Sequence, residues 1–371
     1  MTTRPWRLAG TAAAGLLAAV LPAAGGALAA APTTGAVATA AGPAGTAYVS
    51  NGELYLTAGF GARNYVVLST ISGGRIYVTD NIPIVLDRNR AGGCFQPDQR
   101  TLNCPPSVTQ MTARLGDSDD YFGNYSNITT HVYGDYGNDD LWGWFGTEYF
   151  HGGPDNDELY GLPGADQLWG DDGADVLEGH EGDDHLYGGS GNDTLRGHEG
   201  WDFLYGHDGT DDLSGGPDRD DLDGGPGLGT IAGDAGNDVF YHRYSDNSSR
   251  NNYWGGAGID EMDYWGMTTG VHVTLNNIAD DYAILPVVTG HNVHDDIEKV
   301  VGTDNADHLI GNNGPNTLIG LGGDDVLEGL GGDDDLNALT GNNQRVYGGP
   351  GTDTCNGDNL VVADQCEAVP A

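Results

Sequence analysis

The residues with the clearest chemistry are carboxylates at a fixed spacing. From Gly134 to Tyr241 the chain reads as twelve consecutive nines without an insertion: GDYGNDDLW, GWFGTEYFH, GGPDNDELY, GLPGADQLW, GDDGADVLE, GHEGDDHLY, GGSGNDTLR, GHEGWDFLY, GHDGTDDLS, GGPDRDDLD, GGPGLGTIA and GDAGNDVFY. The sixth position is Asp in ten of them, with Glu148 and Gly229 as exceptions. The first position is always Gly, the fourth is Gly in ten and Asp in two, and the eighth is always large and apolar. Acids repeated in this way form an array of hard oxygen donors. Two carboxylates about 5 Å apart in water repel by roughly 0.8 kcal/mol, and by more where solvent is excluded. A fold that stacks them needs cations. Carboxylates and turn carbonyls, with no Cys and few His, select Ca²⁺, whereas Mg²⁺ holds to a stricter octahedron.

The elements that must hold these acids follow from the same nine. GGxGxD is a turn, where Gly accepts the positive φ values that other residues resist. The xUx that follows is a very short strand whose central residue faces one way and whose neighbours face the other. A turn plus a strand reverses the chain, so two nines make one coil. Repeats n and n+2 then stack about 4.7–4.8 Å apart. The eighth positions (Leu141, Phe150, Leu159, Leu168, Leu177, Leu186, Leu195, Leu204, Leu213, Leu222, Ile231 and Phe240) should point inward as a thin core.

This pattern resembles the calcium-binding nonapeptide repeats of RTX (hemolysin-type) proteins, GGxGxDxUx. The resemblance is close over 134–241 and looser over 255–263, 302–337 and 348–356. It implies an all-β fold, a parallel β-roll (β-solenoid), with each Ca²⁺ held between loops n and n+2. Carried over position by position, it implies that the ligands are Asp139, Asp157, Asp166, Asp175, Asp184, Asp193, Asp202, Asp211, Asp220 and Asp238. Asp260, Asp307, Asp325, Asp334 and Asp353 are the outlying equivalents, and turn carbonyls complete each site. Glu148, Gly229 and Asn316 should mark weak sites. RTX toxins and proteases join such a roll to a catalytic or pore-forming region, and no comparable effector region is evident in this sequence.

Composition fits this reading. There are 63 Gly, and 55 Asp and Glu stand against 14 Lys and Arg, for a formal net charge of −41. Interior Gly costs about 1 kcal/mol in a helix, which argues against long helices. The charge excludes nucleic acid and anionic membranes as partners. Residues 1–31 read as a secretory signal: Arg4 and Arg7, an apolar run Leu8–Leu21, and an Ala27-Leu28-Ala29 cleavage site. The mature chain is expected to be extracellular and to carry no membrane span. The four Cys then suggest two disulfides; three pairings are open, and Cys94 with Cys104 and Cys355 with Cys366 are the local ones.

Residues 32–45 read as a linker and 46–133 as an irregular N-terminal β cap with strand-like alternation. Within that cap, LGDSDDYFGN is a degenerate repeat with Asp120 in the acid position. A cap is expected where a solenoid would otherwise leave an end face bare. The main roll spans 134–241. Residues 242–301 read as a β insert, in which HRYSDNSSRNNYW breaks the array, GGAGIDEMD is one further repeat and DDIEKVVG leads back into phase. A second array and a terminal disulfide loop fill 302–371, with ALTGNNQRVY as a second break.

The sequence shows no catalytic signature. HExxH is absent: His180-Glu181 and His198-Glu199 are not followed by a second His at that spacing. No G-x-S-x-G elbow is present. The expected function is calcium binding coupled to folding in a secreted scaffold or a cell-surface or matrix component, not an enzyme. The alternatives are a secreted enzyme with its site outside the repeats and a glycan-binding adhesin. For the latter, Tyr149, His151, Trp169, Tyr187, Phe203, Tyr205 and Tyr241 should line the outer face of the even-numbered sheet. Such a strip suits cell-surface or extracellular polysaccharide; cross-rung stacking is the competing role. His180 and His198, both second-position residues, should stack on one edge. They are read as solvated turn residues or as a soft-metal or pH-sensitive pair.

Overall fold

A computed structural model of the protein describes residues 44–244, 250–278, 281–283 and 288–366. The proposed signal, and the proposed linker apart from its last two residues, lie outside these. The described residues form a parallel β-roll. Three-residue strands such as Asp140–Trp142, Glu158–Tyr160 and Asp221–Asp223 alternate with longer ones such as Gln167–Asp172, which run on into the following turn. Each strand pairs in parallel with the strand two repeats away. Leu168 stands opposite Leu186 and Leu186 opposite Leu204 on one sheet, and Leu177 opposite Leu195 and Leu195 opposite Leu213 on the other.

The eighth positions form the core as the periodicity requires. All twelve, from Leu141 to Phe240, have no solvent exposure. The column continues through Met262, Val300, Leu318, Leu336 and Cys355 on one sheet. This first sheet has sixteen strands and passes the insert unbroken: Val239–Tyr241, Glu261–Asp263, Lys299–Val301 and Thr317–Ile319 are successive neighbours. The second sheet is disturbed there. Val271–Thr274, Asp281–Ala283 and Val288–Val293 form an antiparallel meander, and Val271–Thr274 also pairs in parallel with His308–Ile310.

Parallel stacking begins well before Gly134. Glu53–Thr57 pairs in parallel with Gln110–Asp117, which pairs with Thr129–Tyr136. Tyr65–Ile71 pairs in parallel with Tyr121–Tyr125. The N-terminal region therefore closes the roll with two hairpins, Gly45–Ser50 with Glu53–Thr57 and Tyr65–Ile71 with Arg75–Thr79, each lending a strand to one of the two sheets. A boundary at Gly134 falls inside the strand Thr129–Tyr136.

Two segments read as breaks are repeats with insertions. Asn252–Ala257 pairs in register with Thr230–Ala235 and places Tyr253 in the core opposite Ile231. Gln344–Tyr347 pairs with Val326–Glu328 and places Val346 opposite Leu327. Of the three open cysteine pairings, Cys94–Cys104 and Cys355–Cys366 are formed. Among the described residues, no helix is long and apolar enough to cross a membrane.

Candidate metal centres

Each turn brings three kinds of oxygen together. The sixth-position side chain lies inside the turn, and all fifteen aspartates expected as ligands are buried, none more than 3% exposed. Their first carboxylate oxygen, Oδ1, accepts the backbone N–H of the sixth residue one coil earlier. Asp139 N donates to Asp157 at 2.7 Å, Asp157 N to Asp175 at 2.7 Å, and Asp175 N to Asp193 at 2.9 Å. On the even side Glu148 N donates to Asp166 at 2.8 Å, and the chain of bonds runs on through Asp184, Asp202, Asp220, Asp238 and Asp260. These bonds hold each carboxylate in register but use only one oxygen.

The second oxygen, Oδ2, has no hydrogen-bond partner in Asp139, Asp157, Asp166, Asp175, Asp184, Asp193, Asp202, Asp211, Asp220, Asp238, Asp260, Asp325 and Asp334, and it is buried in each. A buried carboxylate oxygen without a donor costs several kcal/mol unless a proton or a cation meets it. The first-position glycines show where that charge gathers. A β-carbon on Gly188 would stand 2.5 Å from Asp193 Oδ2 and 2.8 Å from the Gly206 carbonyl oxygen. An anionic oxygen and a carbonyl oxygen thus face one point, with no donor between them. Burial accordingly pushes the carboxyls up. Asp139, Asp157, Asp184 and Asp220 rise to about 8, and Asp175, Asp202, Asp211 and Asp238 to about 7. The backbone bond opposes the rise, and nearby carboxylates add to it. An all-oxygen cradle of this kind fits Ca²⁺.

Glycine serves two purposes here. Positive φ occurs at the second and fourth positions, not the first: Gly189 has φ 113° and Gly191 has φ 144°, and His180, His198, Asp171 and Asp155 adopt the same region. The first position is Gly because a side chain there would fill the cradle.

The expected weak sites differ from one another. Glu148 remains a buried acid, raised by burial and by Asp166; its Oε1 accepts Asn124 Nδ2 at 2.8 Å and its Oε2 has no partner. At Gly229 the carboxylate is missing, and Asn251 from the next coil reaches in. Asn316 bonds through Oδ1 to Asn312 N at 2.8 Å. Asp307 differs from the thirteen aspartates with a donor-free Oδ2, because both its oxygens are satisfied by Thr303 and Val271.

Sequence reasoning missed four sixth-position residues. Asn64, Asn251, Glu298 and Gln344 each extend a ladder: Asn64 N donates to Asp120, Asn251 Oδ1 accepts Gly229 N, Glu298 accepts Asp260 N, and Gln344 accepts Asp325 N. The signal for the last three was an x-U-x-G sequence directly after them, as in Asn252-Tyr253-Trp254-Gly255. A second ladder at the fifth position was also missed. Asn138 Oδ1 accepts Asn156 N at 3.0 Å, and Asn156 Oδ1 accepts Ala174 N at 2.7 Å.

The aromatic strip exists on the first sheet, and its rings stack on one another. Tyr133, His151, Trp169 and Tyr187 form a column with ring centroids 4.4–5.5 Å apart and planes within 8° of parallel. Tyr205 leaves the column to meet His207 and, through its hydroxyl, Tyr244 at 2.7 Å. The faces that a sugar would need are occupied by neighbouring rings, which supports the cross-rung role.

No curated protein matches the chain. The family model for the RTX calcium-binding nonapeptide repeat, which holds four copies, matches residues 151–186, 160–195, 178–213, 196–231 and 214–242, and again 301–336, 310–344 and 329–359. The matches fall on both sides of the insert and take in most of the coils whose buried carboxylates lack a donor. Ca²⁺ is the ion these repeats bind at multiple sites, and the chain carries two arrays of RTX calcium-binding nonapeptide repeats.

Proposed function

We propose that this protein is a secreted scaffold whose roll folds when extracellular Ca²⁺ fills its turns. The observation that carries this reading is the row of buried, donor-free Oδ2 atoms along both ladders. Without cations these oxygens oppose the closure of the coils that carry them; with them they become the bonds that hold those coils. Metal binding is then folding free energy. The ligands are Asp139, Asp157, Asp166, Asp175, Asp184, Asp193, Asp202, Asp211, Asp220 and Asp238, with Asp260, Asp325, Asp334 and Asp353 in the outlying coils. Asp307 contributes last, since the protein already satisfies its oxygens. Extracellular modules bind Ca²⁺ with Kd near 10⁻⁴–10⁻³ M, so the chain would stay open in a calcium-poor cytosol and fold after export. The carboxylates are committed to the turns, which supports a structural role over an enzymatic one. Far-UV circular dichroism during a Ca²⁺ titration tests the reading. A β spectrum should grow with Ca²⁺ and collapse in EGTA; a spectrum of equal strength in EGTA would defeat it.

A further inference from the structure

The outer surface of the second sheet carries a cluster that the calcium turns do not use. The strand Val176–Glu181 presents Glu178 and His180, and the neighbouring strand Thr194–Glu199 places His198 directly opposite His180. The imidazoles are parallel to within 3°, with centroids 4.7 Å apart. Glu178 Oε2 lies 3.2 Å from His180 Nε2 and 3.7 Å from His198 Nε2. One ligand atom from each of the three residues falls within 4.8 Å of the other two. His198 Nε2 is screened from solvent and has no hydrogen-bond partner.

The cluster is local. One coil earlier, Leu162 and Tyr160 hold the positions equivalent to His180 and Glu178; one coil beyond His198 stands Gly216, which has no side chain. Arg196, opposite Glu178, contributes a positive charge, and the exposed Glu181 and Glu199 beside the two histidines offset it. We propose that Glu178, His180 and His198 form a surface site for a borderline divalent transition ion such as Zn²⁺, chemically distinct from the calcium turns and bridging two coils. Two imidazoles and one carboxylate are a nitrogen-rich set that Ca²⁺ disfavours and Zn²⁺ favours, and three protein ligands leave a fourth position for water. Closing on the ion requires the rings to turn about χ2, a broad torsion in His, and both side chains are half-exposed.

The test is Zn²⁺ titration of the calcium-loaded full chain in millimolar Ca²⁺, which keeps the acidic turns occupied. His180→Asn and His198→Asn are the variants of choice, since Asn tolerates the positive φ of these positions, 79° and 73°. Circular dichroism in Ca²⁺ should be unchanged in both. A single Zn²⁺ equivalent should bind the wild type and weaken by at least about tenfold in each variant, a loss typical even of residues that only support a ligand. Cu²⁺ used as a spectroscopic probe should show coupling to two imidazole nitrogens in the wild type and to fewer in either variant. No Zn²⁺ equivalent in the wild type, or one of equal affinity in both variants, overturns the proposal.

Discussion

At the sixth position an acid and an amide leave the turn in different states. Asp193 offers Oδ1 to the coil below and leaves Oδ2 facing a carbonyl with no donor. Asn251 also offers its oxygen backward, to Gly229 N at 2.6 Å, but its amide nitrogen donates to the Gly225 carbonyl at 3.0 Å. Gln344 does the same, with Nε2 donating to the carbonyls of Gly323 and Ala338 at 3.2 and 3.1 Å. At Asn251 and Gln344 the amide therefore seals its turn with hydrogen bonds where an acid requires a cation, whereas the Asn316 amide nitrogen is buried without a partner and leaves its turn unsealed. Asn251→Asp should convert a self-sealed turn into a calcium-requiring one. At limiting Ca²⁺ the variant should lose about 1–3 kcal/mol, the cost of a buried polar group left without its partner, and regain much of it at saturating Ca²⁺. Asp193→Asn should act in reverse, lowering the number of calcium ions bound while reducing the loss of stability at limiting Ca²⁺. Urea unfolding at limiting and at saturating Ca²⁺, together with equilibrium dialysis, reads both effects. Equal losses for Asn251→Asp in the two conditions would show that the turn gains nothing from the ion.

At the scale of the coil, glycines and leucines set different tolerances. A β-carbon on Gly191 would overlap the Gly173 carbonyl oxygen one coil earlier, at a residue whose φ is already 144°. Gly266, in the insert, has φ 96° but nothing within 4 Å of its would-be β-carbon. Gly266→Ala should cost about 1–2 kcal/mol, the backbone term alone, whereas Gly191→Ala should split the stack at that coil. Hydrogen exchange would show the split as lost protection on both sides of residue 191. Leu186→Ala, in a core only one side chain deep on each sheet, should cost about 2–5 kcal/mol in the calcium-loaded protein, measured by thermal or urea unfolding. The strict nines made these elements legible. The acid ladders, the inward leucines and the pairing of n with n+2 all follow from one period. What stayed hidden were coils whose period slips. Asp260 stands 22 residues after its partner Asp238, and Gln344 stands 19 after Asp325. Extra residues between paired strands leave those strands in register, so the fold continues where the sequence pattern stops. The first-position glycine was legible as a requirement but not for its reason, which is that a side chain there would fill the cradle, and not φ.

At the scale of the whole molecule, a formal charge of −41 must be met by protons or by calcium, and the two compete. In the metal-free fold burial pushes the carboxyls of Asp139, Asp157, Asp184 and Asp220 up to about 8. In the unfolded chain an Asp titrates near about 3.9. Between these values the metal-free fold binds more protons than the unfolded chain. Its stability therefore falls as pH rises through about 8 and is gained as pH drops toward 4. Calcium reverses the sign for the loaded protein, because it holds the same carboxylates ionised and binding must release their protons. The stabilisation due to Ca²⁺ should thus be largest near about pH 8 and shrink toward about pH 6, where protons already neutralise the ladders. Thermal unfolding at both pH values, in saturating and in limiting Ca²⁺, measures that difference directly. At about pH 6, where protons hold the metal-free ladders closed, calorimetric titration in buffers of different ionisation enthalpy should in turn show proton release on Ca²⁺ binding. A calcium increment that is the same at both pH values, with no proton release, would mean that the ladder carboxylates are already ionised in the metal-free fold. The donor-free oxygens would then be held by something other than protons before the ion arrives.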